Sequence, residues 1–139
     1  MMRHLTIFPA AALMAAALVS PALAQGDVPS GTAGGAPAPP SGQQIFDQTC
    51  AACHMHDGKG ATGAATIPSL SANAKLVAPQ YPILVVMIGK GVMPGFAPYM
   101  TNAQMASVIT YVRSNFGNKY PKPVTEMDVA RIAAGNPQR

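Results

Sequence analysis

Cys50-Ala51-Ala52-Cys53-His54 decides how the rest of this 139-residue chain is read. Two thiols with two residues between them fall on one turn of helix, and the next residue carries an imidazole. A C-x-x-C pair alone also serves as a redox dithiol or as half of a zinc site. The dithiol belongs with alternating strands and helices, and nothing here alternates that way. Zinc asks for four ligands, whereas the chain has two Cys, and its other His residues are His4 and His56. A disulfide between Cys50 and Cys53 would leave His54 without a part. The five residues together read as the attachment site of a c-type haem. Cys50 and Cys53 add across the vinyl groups as thioethers, and His54 lies under the iron and ligates it. Only one such run occurs, so one haem is expected.

The first residues read as an export signal. Arg3 is followed by an apolar run from Leu5 to Val19, and Ala22-Leu23-Ala24 is a small-x-small cleavage site. Residues 1–24 are therefore expected to be removed, with the mature chain starting near Gln25 in the periplasm. Covalent haem attachment and thiol oxidation belong to that compartment. Pro9 and Pro21 shorten the apolar stretch below the ~20 residues of a membrane span, so no transmembrane segment is expected in the mature chain. That leaves room for peripheral membrane association. Residues 25–41 are rich in Pro, Gly and Ala without periodicity and read as a flexible linker. The folded domain is placed at 42–118, with 119–139 as a C-terminal extension. The net charge of +4 gives a weakly basic surface suited to an acidic partner. No basic cluster resembles a nucleic-acid footprint.

Helix signals dominate the domain. Ser41 is placed as the cap of a helix running to about Ala52, with Ile45, Phe46, Thr49, Cys50 and Cys53 on one face. Residues 57–69 read as a glycine-punctuated loop ending at Pro68-Ser69-Leu70. A middle helix is expected from Pro79 to about Gly89, with Leu84, Val85 and Ile88 as its apolar stripe. Thr101 and Gln104 form a capping box for the last core helix, whose face carries Met105, Val108, Ile109, Val112 and Phe116. Thr125 and Asp128 are a second such box, opening a helix to Ala134 that packs on the domain or on a partner.

Gly42-x-x-x-Phe46, Cys50 to His54, Pro68-Ser69-Leu70, Gly91-Val92-Met93-Pro94 and Tyr111 together resemble the class I cytochrome c family. The resemblance covers residues 42–117 and rests on the order and spacing of these pieces. It implies an all-α fold, a small cytochrome c with three to five helices around one covalently bound haem c. It implies that Cys50 and Cys53 hold the haem and that His54 and Met93 are the axial ligands of the iron. It also implies that the Pro68 carbonyl accepts a hydrogen bond from the other nitrogen of His54. Met100 is the rival to Met93. Met93 is favoured because it follows a helix stop and because Pro94 biases it to an extended backbone. His56 is read as a surface residue.

With both axial positions filled there is no substrate site, so the resemblance implies an electron carrier and not an enzyme. A thioether ligand and a buried haem both raise the potential. The residues around Ala51, Met55 and Gly58 are the expected docking edge. The segment from Tyr111 to Val129 more loosely resembles cytochrome subunits of periplasmic dehydrogenases. Redox proteins are therefore the expected partners: a dehydrogenase that supplies electrons, and a respiratory oxidase or another cytochrome that takes them. The alternative is an open-site haem protein, a peroxidase or gas sensor with a labile distal Met.

Overall fold

The computed structural model describes residues 38–136. The expected signal at 1–24, and the linker as far as residue 37, lie outside the described residues. Four helices and one short 3₁₀ turn make up the regular structure, and the described residues contain isolated β-bridges but no strand.

The first helix starts at Ser41, whose hydroxyl accepts from the Gln44 amide while the Gln44 side chain accepts from the Ser41 amide. It is α-helical over Gly42–Ile45, opens into a π turn over Phe46–Cys50, and closes again as α-helix over Ala51–His54. A π turn inserts one extra residue per turn, which rotates everything after it relative to a 3.6-residue repeat. The buried face accordingly runs Gly42, Ile45, Phe46, Ala51, His54. Ala51 faces inward and Cys53 is exposed, the reverse of what uniform helical spacing predicts.

The middle helix, Gln80–Ile88, has Pro79 at its cap and Gly89 at its stop. Its buried residues are Pro82, Ile83 and Met87, whereas Leu84 is exposed and Val85 and Ile88 are half-buried. The expected stripe was misplaced because every residue from Pro82 to Ile88 is apolar, so the pattern carries no phase. The long helix, Asn102–Ser114, keeps its predicted capping box and buries Met105, Val108 and Ile109. Phe116 follows the helix, at φ +55. The last helix, Glu126–Ala134, opens on the Thr125/Asp128 box and buries Val129 and Ala133 against the long and middle helices.

Two features lock the first helix to the long one. A side chain at Gly42 would run into the Ser107 carbonyl and approach the Tyr111 Cβ to 2.9 Å, so only glycine lets the backbones cross. Beside the crossing, Phe46 packs on Tyr111 (centroids 5.6 Å) and Phe116 (4.8 Å), and Tyr111 meets Phe116 edge-on at 5.6 Å. Such aromatic pairs contribute about 0.5–1.5 kcal/mol each beyond burial.

The tail is stitched to this core by polar groups. The Thr110 hydroxyl accepts from the Val124 amide at 2.9 Å. Asn118, buried, donates to the Leu70 and Val112 carbonyls and accepts from the Asn73 amide at 2.8 Å. Arg113, 3% exposed, donates to the carbonyls of Leu76 (2.9 Å), Val77 (3.1 Å) and Lys122 (2.6 Å).

Three substitutions test this account. In Gly42→Ala the gain in helix propensity, about 1 kcal/mol, is outweighed by backbone overlap that nothing flexible relieves. Stability should fall by about 1–3 kcal/mol in denaturant titrations, while Gly63→Ala, which meets no atom within 4 Å, should stay within about 0.5 kcal/mol of the parent. A stabilised Gly42→Ala would refute the close crossing. Ala72, exposed at φ +45, sits where a Cβ costs roughly 1–2 kcal/mol. Ala72→Gly should therefore raise the melting temperature, and a lower one would contradict the left-handed turn.

Candidate functional site

The first helix delivers Cys50 and His54 to the wall of a cavity of about 330 Å³. That volume is at the lower end of the roughly 300–1,000 Å³ of small-molecule sites. Pro68 and Leu70 from the glycine loop line it beneath His54, Val85 and Val86 come from the middle helix, Val108 and Val112 from the long helix, and Met93 from the loop after Gly89. The lining is largely aliphatic, as a planar apolar group requires.

His54 is held in one tautomer. Its Nδ1 lies 3.1 Å from the Pro68 carbonyl, which can only accept, so Nδ1 carries the proton and Nε2 keeps its lone pair. Burial disfavours the charged imidazolium and lowers the His54 pKa, with the Pro68 bond acting the other way. The ring therefore stays neutral, the form that ligates a metal. Burial, and secondly the nearby Cys53, push the Cys50 thiol up to about 11.

The loop that carries Pro68 is shaped for this contact. The Gly60 amide donates to the His54 carbonyl at 3.1 Å, and Ala61 pairs with Ile67 in both directions. At φ +71, a side chain on Gly60 would collide with the Ile67 carbonyl and come within 2.9 Å of the Pro68 carbonyl oxygen. Glycine is thus needed where the acceptor of His54 is positioned.

Met93 sits in a tight turn in which the Lys90 and Met93 backbones bond each other in both directions, at 3.0 and 3.1 Å. The turn is anchored back to the middle helix, where Phe96 and Ala97 donate to the carbonyls of Val86 and Met87. Met100 is half-buried against the hydrophobic core and is not among the residues lining the cavity. Met87 and Met105 are buried core residues. Met55 is exposed, with φ +61 turning the chain away after His54. His56 is exposed and 3.3 Å from Asp47.

Of the five sequence-predicted site residues, Cys50, His54, Pro68 and Met93 share the cavity, and Cys53 lies exposed on the same helical turn. Of the expected docking edge, Met55 is exposed, whereas Ala51 and Gly58 are buried. Ala51 turns inward after the π turn, and Gly58 lies under the Phe116 ring. Sequence reasoning missed Asn73, Lys75, Tyr81 and Lys90 in the lining, the last with its ammonium 5.3 Å from the Tyr81 ring centroid. Single polar residues without a repeat give no signal of their own. Among the described residues, no three His, Cys, Asp or Glu side chains gather to hold a metal ion by themselves, so two thiols and one lone imidazole suit a group that brings its own ligands to the iron. No described helix is long and apolar enough to cross a membrane.

Known proteins are similar to this chain in sequence. A cytochrome subunit of a quinone alcohol dehydrogenase from Gluconacetobacter polyoxogenes is 31% identical over 104 residues, 66% of this chain but 22% of that subunit. The cytochrome subunit of fructose dehydrogenase from Gluconobacter japonicus is 31% identical over 112 residues, 70% of this chain and 23% of that subunit. The chain thus spans less than a quarter of the length of these curated relatives. Cytochrome c6 from Leptolyngbya boryana is 36% identical over 74 residues, 52% of this chain and 86% of that protein. The family described as cytochrome c oxidase, cbb3-type, subunit III matches residues 37–112. The chain belongs to this family of c-type cytochromes.

Proposed function

We propose that the chain is an exported one-electron carrier with a single haem c, ligated by His54 and Met93. In this reading it takes electrons from a dehydrogenase and passes them to a respiratory oxidase or another cytochrome. The observation that carries the reading is the shared cavity: Cys50, a His54 fixed with Nε2 free, and Met93 all line one apolar space. Haem, when bound, supplies an iron that cycles between ferrous and ferric states. The protein's part is to attach it through Cys50 and Cys53 and to keep His54 neutral and oriented. The aliphatic wall of Val85, Val86, Val108 and Val112 excludes water. A thioether ligand from Met93 would favour ferrous iron and suit a high-potential carrier. The dehydrogenase assignment rests on the kinship with dehydrogenase cytochrome subunits.

Expression in a host with working cytochrome-maturation machinery tests the core of this reading. The intact mass should show one haem added and residues 1–24 removed, and a colourless product at the bare polypeptide mass would end it. In the ferric protein, Met93→Ala should abolish the weak long-wavelength band of an iron–thioether bond, and Met100→Ala should leave it. The opposite pattern would move the ligand to Met100. In the source organism, deleting the chain should lower dehydrogenase-driven oxygen uptake, and unchanged uptake would count against the assigned partner.

A further inference from the structure

Arg113 is the one side chain in the described core that carries a full charge into a buried site. It is 3% exposed, and no Asp or Glu lies within ion-pair distance of it among the described residues. Its guanidinium is satisfied instead by neutral carbonyls, Nε on Leu76, Nη2 on Val77 and Nη1 on Lys122, with the Tyr120 ring 5.8 Å away. Leu76 closes the 3₁₀ turn Ala74–Leu76, whose last carbonyls carry partial negative charge. These dipoles meet the hydrogen-bonding demand of the guanidinium but leave its unit charge uncancelled.

The charge sits against the cavity. Leu76, bonded to Nε, lines it, and so do Val112, next in the chain, and Asn73, whose carbonyl accepts from the Tyr120 hydroxyl. A positive charge in a poorly screened interior acts strongly on a second charge forming nearby. Oxidation of the iron adds one positive charge inside this cavity.

We propose that Arg113 is the fixed internal charge that sets the reduction potential, raising it by opposing the ferric state. Arg113 touches neither the cavity's ligands nor its attachment residues; it acts at a distance, from behind the Asn73–Val77 wall. The tail is part of the device, because the Lys122 carbonyl and the Tyr120 ring hold the guanidinium in place. This inference rests on the haem reading above.

Redox titration of the holoprotein separates charge from clamp. Arg113→Gln keeps amide donors for the carbonyls and loses the charge; Arg113→Lys keeps the charge and loses most of the bonds. Both should lower the melting temperature. The Gln variant alone should show a lowered potential, with the iron–thioether band and haem content unchanged. The Lys variant, read at pH 6, should stay near the parent. The gap between Gln variant and parent should persist in molar salt, since an interior charge escapes ionic screening. Equal potentials in the two variants, shifted or not, would overturn the proposal, as would a gap that salt abolishes. If Arg113→Gln fails to mature, Val77→Glu supplies the answer. Val77 is 60% exposed and its carbonyl accepts from Nη2, so a carboxylate there opposes the guanidinium with the clamp intact. The potential should fall, and an unchanged one refutes the charge. A parent protein without haem would sink this inference together with the reading beneath it; haem present with unmoved potentials would sink this inference alone.

Discussion

The hydrogen bond from His54 Nδ1 to the Pro68 carbonyl is the constraint on which the site depends. It is one contact of 3.1 Å spanning fourteen residues of chain, and it does three things at once. It assigns the proton to Nδ1, which donates to the carbonyl, and leaves the Nε2 lone pair free. It fixes the ring plane relative to the first helix. It also ties that helix to a loop that has almost no other regular structure. The neighbouring bonds serve it. Gly58 accepts from Leu70 and Ser71, Gly60 donates to His54, and Ala61 pairs with Ile67, so the Pro68 carbonyl is clamped on both sides. A loop built of glycine and small residues holds an acceptor this firmly because backbone bonds at Gly58, Gly60, Ala61 and Ile67 brace it on either side.

Much of this was legible in the sequence because its signals are local. The Ser41 cap and the Thr101/Gln104 and Thr125/Asp128 boxes each place a helix start by side-chain chemistry that needs no distant partner. The attachment motif is likewise complete within five residues. The losses came where a distant partner or a break in periodicity decides. The π turn at Phe46–Cys50 shifts the helical phase and exchanges the places of Ala51 and Cys53. The middle helix is too uniformly apolar to reveal its buried side. Arg113 lies next to Val112 and Ser114 and reads as a solvated charge; only the fold shows three carbonyls converging on it from segments up to 37 residues away.

Asn118 and Arg113 explain why the residues beyond the long helix pack as they do. Both take backbone carbonyls that the ends of helical elements leave without partners: Val112 near the close of the long helix, Leu76 at the close of the 3₁₀ turn. A small domain has little apolar surface with which to cover such ends. Side-chain amide and guanidinium groups, each with several donors, cover them with few residues. The last helix then adds Val129 and Ala133 to the core. Tail and cavity wall are thus parts of one bonded fabric, and the Asn73–Val77 segment is suspended from it by Arg113, Asn118 and Tyr120.

The part of the cavity wall that carries Met93 is held on a different principle. Among the described residues, the turn bearing Met93 has no long-range side-chain clamp comparable to Arg113. Its security is local: two bonds across Lys90–Met93, then Phe96 and Ala97 returning to the last carbonyls of the middle helix. Those carbonyls would otherwise be unpartnered, so the helix end and the turn satisfy each other. The backbone that carries Met93 is thus braced by the helix end it completes, and Met87 at that end is among the most buried residues of the core. In the function proposed above, this brace holds the Met93 backbone beside the cavity, while its thioether can still turn without breaking any of these bonds.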